Sequence, residues 1–236
     1  MNRGAEAVWA VIPAAGQGVR MADPTPKQYH PLAGRAVLQW AVEAMLGVTA
    51  VRGVMVALAP DDPHWQRLAA AAHPRVHTCT GGAQRAASVQ AGLTALRERG
   101  ADPGDAVLVH DAARPAVTVT AIERLLSAAA GEADGGLLAL PVRDTLKMDA
   151  GDGHIASTIA RDGLWQAQTP QLFPLGRLQE ALDQADASVT DEAAAMELLG
   201  ARPRLVEGEV GNIKYTYAGD RQWLAEQLRG RGGDTQ

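Results

Sequence analysis

Short apolar segments alternate with segments of helical spacing along most of this chain. The apolar runs that predict buried strands lie at residues 8–12, 54–58, 75–79, 106–109 and 136–142. The segments that predict helices lie at residues 37–46, 62–72, 81–99 and 120–129. Strands that alternate with helices form a mostly parallel sheet with helices on both faces. We therefore predict an α/β fold, built as a single domain over residues 1–236.

The alternation is interrupted at about residues 143–160, where two strand-like runs flank a glycine-rich turn at 149–153. A lone hairpin buries too little apolar surface to be stable by itself. We expect this arm to pack on a second copy of the chain, so that the protein forms a homodimer. Beyond the arm the pattern predicts helices at 175–185 and 190–199, a polar strand at 212–217 and a last helix ending near 229.

Charge and cysteine content restrict the class of protein. The net charge is −5, whereas proteins that bind nucleic acids need a broad basic face. No apolar run approaches the ~20 residues that cross a bilayer. The single cysteine, Cys79, cannot form an internal disulfide, which suits a reducing cytoplasm. We therefore expect a soluble, cytoplasmic protein that binds neither nucleic acid nor membranes.

Lysine is rare in this chain. Of the 22 lysine and arginine residues, only Lys27, Lys147 and Lys214 are lysines. A compact ammonium and a planar guanidinium are not interchangeable in a tight phosphate site. Lys27 and Lys214 both lie in loop-like segments, so we interpret them as site residues. The alternative is that the two lysines occur there by chance and have no role in a site.

A glycine-bearing loop follows the first predicted strand. Gly16 and Gly18 would let backbone amides approach phosphate oxygens closely. The loop is not a P-loop, because no Gly-Lys-Ser/Thr follows, and Met21 replaces the third glycine of a dinucleotide-binding motif. Arg20 and Lys27 would meet the charge that develops on a phosphorus during transfer. Two solvated surface cations are the alternative.

Two further segments carry candidate chemistry. Gly81 and Gly82 stand at a predicted helix start, where a ligand can rest against free amides, with Ser88 one turn inside; an ordinary tight turn is the alternative. Asp111 ends an apolar strand, the position at which open α/β sheets bind ligands. Its carboxylate suits Mg²⁺ held with a triphosphate, a substrate hydroxyl or, less well, a helix cap. We interpret the preceding His110 as structural.

These segments, taken in order, resemble the 2-C-methyl-D-erythritol 4-phosphate cytidylyltransferase family of the non-mevalonate isoprenoid pathway. The resemblance covers nearly the whole chain. Ala83 and Ala87 stand where relatives often carry polar residues, which puts side-chain contacts to the ribose or base there in question. The matching motifs are Ile12-Pro-Ala-Ala-Gly-Gln-Gly-Val-Arg-Met21, Pro26-Lys-Gln-Tyr29, Gly81-Gly82 with Arg85 and Ser88-Val89, Val109-His-Asp-Ala-Ala-Arg-Pro115, Pro141-Val-Arg-Asp-Thr145, Leu164-Trp165, Gln168-Thr-Pro-Gln171, Thr190-Asp-Glu192 and Asn212-Ile-Lys214.

The resemblance implies a Rossmann-like nucleotidyltransferase fold with an inserted β-hairpin arm. It implies transfer of CMP from CTP to 2-C-methyl-D-erythritol 4-phosphate, with Mg²⁺ or another divalent cation, giving 4-diphosphocytidyl-2-C-methyl-D-erythritol and pyrophosphate. Arg20 and Lys27 would stabilise the transition state, and Asp111 is the only candidate metal ligand. The CTP pocket would be lined by Ala14, Ala15, Gly16, Gly18, Gly82 and Ser88. The acceptor would be bound by Arg161, Lys214, Asp111, Arg114, Thr145, Thr169 and Thr190.

Two alternatives stay open at this point. The acceptor could be another polyol phosphate, such as ribitol 5-phosphate, although the acceptor wall resembles the methylerythritol type. The chain could instead be a non-catalytic nucleotide-binding module. Met21, and the lack of an acidic residue suited to a ribose after the second strand, count against that reading.

Overall fold

The computed structural model describes residues 7–16, 25–185 and 189–230. Its strands are β1 (Val8–Ala14), β2 (Pro31–Leu32), β3 (Arg35–Ala36), β4 (Val51–Leu58), β5 (Val76–Thr80), β6 (Ala106–Val109), β7 (Gly136–Pro141), β8 (Leu146–Asp149), β9 (Ile155–Ile159), β10 (Trp165–Pro174) and β11 (Arg204–Glu207). Its α-helices are α1 (Val37–Leu46), α2 (Arg85–Glu98), α3 (Val119–Ala129), α4 (Leu175–Gln184), α5 (Glu192–Leu198) and α6 (Asp220–Arg229).

Seven of the strands form one sheet in the order β11-β7-β10-β6-β1-β4-β5. Strand β1 pairs in parallel with β4 and β6, β4 with β5, and β7 with β11. Strand β10 alone in this sheet runs antiparallel to its neighbours, β6 and β7. The sheet is therefore mostly parallel, as predicted. The carboxyl ends of β1 and β6 lie side by side at one edge of the sheet, where such folds bind ligands.

Helices cover both faces of the sheet, which confirms the predicted layers. Along β1, Ala10 and Ile12 belong to the apolar cluster on the side of α1 and α3, whereas Trp9 and Val11 belong to the cluster on the side of α2, α4 and α5. Gly92 lets α2 lie close to β1, because a Cβ there would come within 2.6 Å of Cγ1 of Val11. Among the described helices, none combines the length and apolarity that a membrane span requires.

The predicted helix at residues 62–72 is wrong. The segment forms two short 3-10 turns, Trp65–Arg67 and Ala69–Ala72, with Leu68 extended between them. Oε1 of Gln39 accepts a hydrogen bond of 3.0 Å from the amide of Ala70, in place of a bond within a helix. A tertiary contact has therefore overridden the helical propensity of the alanines.

The second half of the sheet also differs from the prediction. Residues 212–217 form no strand, and the sheet edge is instead β11, which the sequence pattern did not reveal. The long strand β10 was missed as well. Its buried middle carries the polar side chains of Gln168, Thr169 and Gln171, so it shows neither an apolar run nor an alternating pattern.

The predicted arm is present as the antiparallel hairpin of β8 and β9. Side chains alternate along these strands, and Lys147 donates to Oγ1 of Thr158 at 2.7 Å on the polar face. Met148 is 51% exposed and Ile155 is 65% exposed on the other face. The apolar residues of that face are Leu146, Met148, Ile155 and Ile159, and Ser157 lies opposite Met148 on the same face.

Candidate active site

A cavity of about 390 Å³ opens at the carboxyl ends of β1 and β6. Its walls come from separate parts of the chain, namely the end of β1, the turn at Lys27, the start of α2, the segment after β6 and the segment at Lys214. Eight of the site residues predicted from the sequence line it. They are Ala14, Ala15, Gly16, Lys27, Gly82, Ser88, Asp111 and Lys214.

Lys27 begins a short 3-10 turn, Lys27–Tyr29, that is tied to the end of β1. Nε2 of Gln28 donates to the carbonyl oxygens of Ala14 at 2.9 Å and Gly16 at 3.0 Å. The Gln28 side chain is buried, so its bond to Ala14 is shielded from water. The position of Lys27 is therefore set by its neighbour Gln28, to which the sequence alone assigned no role.

Gly81 and Gly82, the glycine pair before α2, contribute space to the site and not free amides. The amide of Gly81 donates to the carbonyl of Leu58 at 2.7 Å, and the amide of Gly82 lies 3.1 Å from Oγ of Ser88. The expectation that the glycine amides are free is wrong, and the amides that a helix start leaves to a ligand are those of the first turn of α2. A Cβ at Gly81 would lie 2.7 Å from Cβ of Ala15, so only glycine allows the two walls to approach this closely.

Asp111 is buried among three cations. Nζ of Lys214 lies 2.8 Å from Oδ2, Nε of Arg85 lies 2.8 Å from Oδ1, and Nε of Arg114 lies 3.8 Å from Oδ2. Burial alone would raise the pKa of the Asp111 carboxyl, but Arg85 and Lys214 outweigh it and hold that pKa below its usual range. Asp111 is therefore a carboxylate at neutral pH.

His110 and Thr169 hold the backbone of Asp111 in place. The amide of Asp111 donates to Oγ1 of Thr169 at 3.0 Å, and that oxygen lies 3.0 Å from Nδ1 of His110. Nε2 of His110 lies 3.0 Å from the carbonyl oxygen of Arg114, which can only accept, so Nε2 carries the proton and Nδ1 accepts from Thr169. Burial lowers the pKa of His110 to about 4. His110 is structural, as predicted, and the hydroxyl proton of Thr169 is committed to it.

The segment that carries Lys214 contacts the sheet without adding a strand to it. The amide of Tyr215 donates to the carbonyl of Ala113 at 2.7 Å, and Nδ2 of Asn212 donates to the carbonyl of Thr169 at 2.8 Å. These bonds attach residues 212–217 to the segment that follows β6 and to the middle of β10, and Lys214 lies against Asp111. The same bonds explain why no strand forms there.

Comparison with known proteins identifies the group to which the chain belongs. The model of the family described as "IspD: 2-C-methyl-D-erythritol 4-phosphate cytidylyltransferase" matches residues 8–228.

The chain belongs to this family.

Individual relatives agree with the family model. The chain is 49% identical over 228 residues to the 2-C-methyl-D-erythritol 4-phosphate cytidylyltransferase of Pseudomonas putida strain GB-1, covering 95% of this chain and 97% of the relative. It is 52% identical over 227 residues to the enzyme of that name from Halorhodospira halophila, covering 93% of each chain. A crystal structure of a 4-diphosphocytidyl-2C-methyl-D-erythritol synthase superposes with a TM-score of 0.85 at 39% identity, covering 94% of this chain and 99% of the other. Membership of a nucleotidyltransferase family excludes the non-catalytic binding module.

The remaining residues predicted for a cytidylyltransferase lie in three places. Arg114 and Thr169 adjoin Asp111 beneath the cavity. Thr145 and Arg161 are exposed on the arm, where Arg161 donates to the carbonyl of Arg143. Thr190 is exposed and stands two positions before α5 begins. None of these last three lines the cavity as far as the chain is described. Gly18 and Arg20 fall outside the described residues.

Two residues of the cytidylyltransferase motifs form a contact that the sequence did not predict. Arg85 and Glu192 form a bidentate ion pair, with NH1 2.6 Å from Oε1 and NH2 2.9 Å from Oε2. Each is the first residue of a helix, and they are 107 positions apart in sequence. The sequence indicated their importance only through their positions in family motifs, and a single sequence does not reveal that the two side chains are in contact.

Proposed function

We propose that this chain transfers CMP from CTP to 2-C-methyl-D-erythritol 4-phosphate, giving 4-diphosphocytidyl-2-C-methyl-D-erythritol and pyrophosphate. Its relatives carry the name of this activity. The observation that carries the proposal is one cavity in which the cations Lys27 and Lys214 and the carboxylate of Asp111 face walls made of small residues. Cations suit the phosphates, and a carboxylate suits the hydroxyls of a polyol.

The CTP half of the site is the wall of small residues. Ala14, Ala15 and Gly16 follow β1, and Gly82 and Ser88 lie opposite them at the start of α2. Small side chains leave the backbone accessible, and the positive end of the α2 dipole favours the negative charge of a triphosphate. We assign these five residues, together with Gly18, to the CTP pocket.

The acceptor half lies at Asp111. In this half Lys214 would bind the acceptor phosphate, and Asp111 and Arg114 would contact the methylerythritol part. The ion pair between Lys214 and Asp111, 2.8 Å long, has to open when the acceptor binds, because both groups are then needed by the ligand. We assign Thr169 and Thr190 to the same half, Thr169 through the remaining lone pair of its oxygen.

The reaction is an in-line displacement at the α-phosphorus of CTP. An oxygen of the acceptor phosphate forms the new bond to phosphorus, the bond to the pyrophosphate oxygen breaks, and pyrophosphate leaves. Such transfers depend on positioning and on electrostatic stabilisation of the charge that spreads over the phosphoryl oxygens. Lys27, on its tethered turn, and Arg20 supply positive charge for that purpose. The residues present call for no covalent enzyme intermediate.

We propose that Mg²⁺ enters with the triphosphate. In the described part of the chain, no group of three or more His, Cys, Asp or Glu side chains is placed to hold a metal ion. The one candidate, Asp111, already faces Lys214, Arg85 and Arg114, and three cations make it a poor ligand for a fourth. A divalent cation on the phosphates would neutralise charge on the leaving pyrophosphate.

We further propose a homodimer in which Arg161 and Thr145 reach the site of the partner subunit. The apolar face of the arm, formed by Leu146, Met148, Ile155 and Ile159, is the kind of surface that a second copy covers. Arg161 and Thr145 lie at the two roots of this arm and not at their own chain's cavity. Arg161 suits a bidentate contact with the acceptor phosphate.

A cytoplasmic location completes the proposal. Cys79 is the only cysteine, so the fold needs no disulfide and tolerates a reducing compartment. Fractionation of cells that express the tagged chain tests this point, and recovery outside the cytoplasm contradicts it.

The activity is tested with purified chain, CTP and Mg²⁺, offered either 2-C-methyl-D-erythritol 4-phosphate or ribitol 5-phosphate. We expect pyrophosphate and the cytidine diphosphate alcohol in equal amounts with the first acceptor, and turnover at least ~100-fold slower with the second, since a site built for one set of hydroxyls rejects another. Comparable turnover with ribitol 5-phosphate, or no turnover with either acceptor, contradicts the proposal.

A further inference from the structure

Arg85 joins two carboxylates that belong to different parts of the fold. Its NH1 and NH2 bind both oxygens of Glu192 at 2.6 and 2.9 Å, while its Nε binds Oδ1 of Asp111 at 2.8 Å. Asp111 in turn binds Lys214 through its other oxygen, Oδ2, at 2.8 Å. A continuous chain of charged contacts therefore runs from Glu192 through Arg85 and Asp111 to Lys214.

The Glu192 end of this chain is deeply buried. Glu192 is 1% exposed, whereas the Lys214 side chain at the other end is 44% exposed. Burial raises the pKa of the Glu192 carboxyl, and Arg85 opposes that rise. A buried carboxylate requires a charged partner, and the two-pronged contact with Arg85 supplies it.

Glu192 is also a fixed point. The preceding Asp191 caps α5 through a bond of 2.9 Å from the amide of Ala194, and Nε2 of Gln171 donates to the same carboxylate at 2.8 Å. Oε1 of Gln171 accepts from the amide of Ala193 at 2.8 Å, so one buried side chain of β10 holds the first turn of α5 from two sides. A guanidinium bound at both prongs to such an anchor has little rotational freedom.

We propose that Glu192 is a positioning residue of the transferase, which fixes Arg85 so that Arg85 sets the orientation of the Asp111 carboxylate. This inference rests on the proposed function, in which Asp111 and Lys214 bind the acceptor. Glu192 itself stands one contact away from the cavity, whose described lining includes Arg85, Asp111 and Lys214 but not Glu192.

The consequence is an effect confined to the acceptor. Glu192→Gln keeps the size of the side chain and one acceptor for Arg85, but it removes the charge and the second acceptor. We expect the KM for 2-C-methyl-D-erythritol 4-phosphate to rise by about tenfold, because the carboxylate of Asp111 is no longer held in one orientation. CTP affinity measured by calorimetry should change by less than about twofold, because Ser88 and the glycine pair are held by other bonds.

The deciding measurement is a double-mutant cycle on kcat/KM for the acceptor, using Glu192→Gln, Asp111→Asn and both together. If Glu192 acts through Asp111, its substitution costs less than about threefold once Asp111 is Asn, whereas independent effects multiply. Equal cost of Glu192→Gln in both backgrounds overturns the inference and leaves the proposed function intact. An Asp111→Asn variant with an unchanged acceptor KM contradicts the proposed function itself.

Arg85→Lys is the second variant, and it carries the same test if Glu192→Gln does not fold. Its single ammonium cannot bridge two carboxylates in a planar fork, so the same selective rise in acceptor KM is expected. Arg177→Lys is the matched control, because Arg177 pairs with Asp134 at 2.8 Å outside the cavity. It should leave both KM values unchanged. Parallel rises in acceptor KM and CTP dissociation constant for Arg85→Lys and Glu192→Gln indicate a merely structural role and overturn the inference.

Discussion

Nζ of Lys214 lies 2.8 Å from Oδ2 of Asp111, so two side chains that we assign to the acceptor contact each other. The contact is half open to solvent on the lysine side, since the Lys214 side chain is 44% exposed and that of Asp111 is 9% exposed. The ammonium is therefore placed to leave the carboxylate for a phosphate without moving the backbone.

Lys214→Gln removes that ammonium while keeping most of the side-chain length. We expect the acceptor KM to rise by at least about tenfold, equivalent to ~1.4 kcal/mol, because a charge-assisted contact with the acceptor phosphate is lost. The KM for CTP should stay within about threefold. A rise confined to CTP would place Lys214 in the wrong half of the site. Arg177→Gln, at an exposed ion pair outside the cavity, is the control.

Lys27→Ala should lower kcat more than it weakens binding. The ammonium stands on a turn that Gln28 ties to the end of β1, so it is held ready for charge that develops only in the transition state. Losing one such preorganised donor typically costs ~10²–10³ in turnover. Lys27→Arg should not restore the rate, because a planar fork does not replace a compact ammonium. Steady-state kinetics decide, and normal kcat with only a raised KM for CTP would show that Lys27 merely binds the nucleotide.

The parts of the fold predicted from the sequence are those whose pattern is local. Strand β1 and helix α1 follow directly from an apolar run and from helical spacing, and the arm follows from the glycine-rich turn between β8 and β9. Strand β10 could not be found in this way, because Gln168, Thr169 and Gln171 are buried by virtue of hydrogen bonds to partners far away in sequence. The prediction of a helix at residues 62–72 was wrong for the same reason, because neither segment alone indicates the contact between Gln39 and Ala70.

The candidate site was predictable to a similar degree. Asp111 was marked by its position at the end of an apolar strand, and Lys27 and Lys214 by their rarity. That all three line one cavity follows only from the fold. The ion pair between Arg85 and Glu192 could not be predicted from the sequence. A sequence pattern indicates an ion pair only when the two charged residues are close in the chain, as at helical spacing.

Mg²⁺ should bind the nucleotide-free chain only weakly. The Asp111 carboxylate is already neutralised by Lys214 and Arg85, and a hard divalent cation needs several oxygen ligands. Calorimetric titration with MgCl₂ alone should show no stoichiometric site, whereas addition of CTP should restore binding. Tight binding of one ion per chain without CTP would show that the protein itself provides the metal site.

His110 should make the fold sensitive to mild acid. Its pKa is lowered by burial from 6.5 to about 4, so below pH 6.5 the unfolded chain takes up a proton that the folded chain refuses. The stability contributed by neutral His110 is complete above pH 6.5 and is lost as the pH falls towards 4, by about 3 kcal/mol in total. Denaturant unfolding of the wild type and His110→Gln across this window measures the difference. Parallel curves would contradict the assignment of a neutral, buried His110.

In the proposed homodimer, the cavity of one chain is completed by the arm of the other. Lys27→Ala and Arg161→Ala, each nearly inactive alone, can be co-expressed with different tags and the mixed dimers isolated. If Arg161 acts in the partner's site, one site of each mixed dimer combines an intact Lys27 with an intact Arg161. Random assembly makes half of the dimers mixed, so the whole population should recover roughly a quarter of wild-type turnover with CTP and 2-C-methyl-D-erythritol 4-phosphate.

This complementation tests the activity, the site and the dimer in one measurement. Recovery of roughly a quarter of wild-type turnover, arising from the doubly tagged dimers, is the predicted result. Turnover that stays at the level of the single variants, although mixed dimers have formed, would contradict the shared active site.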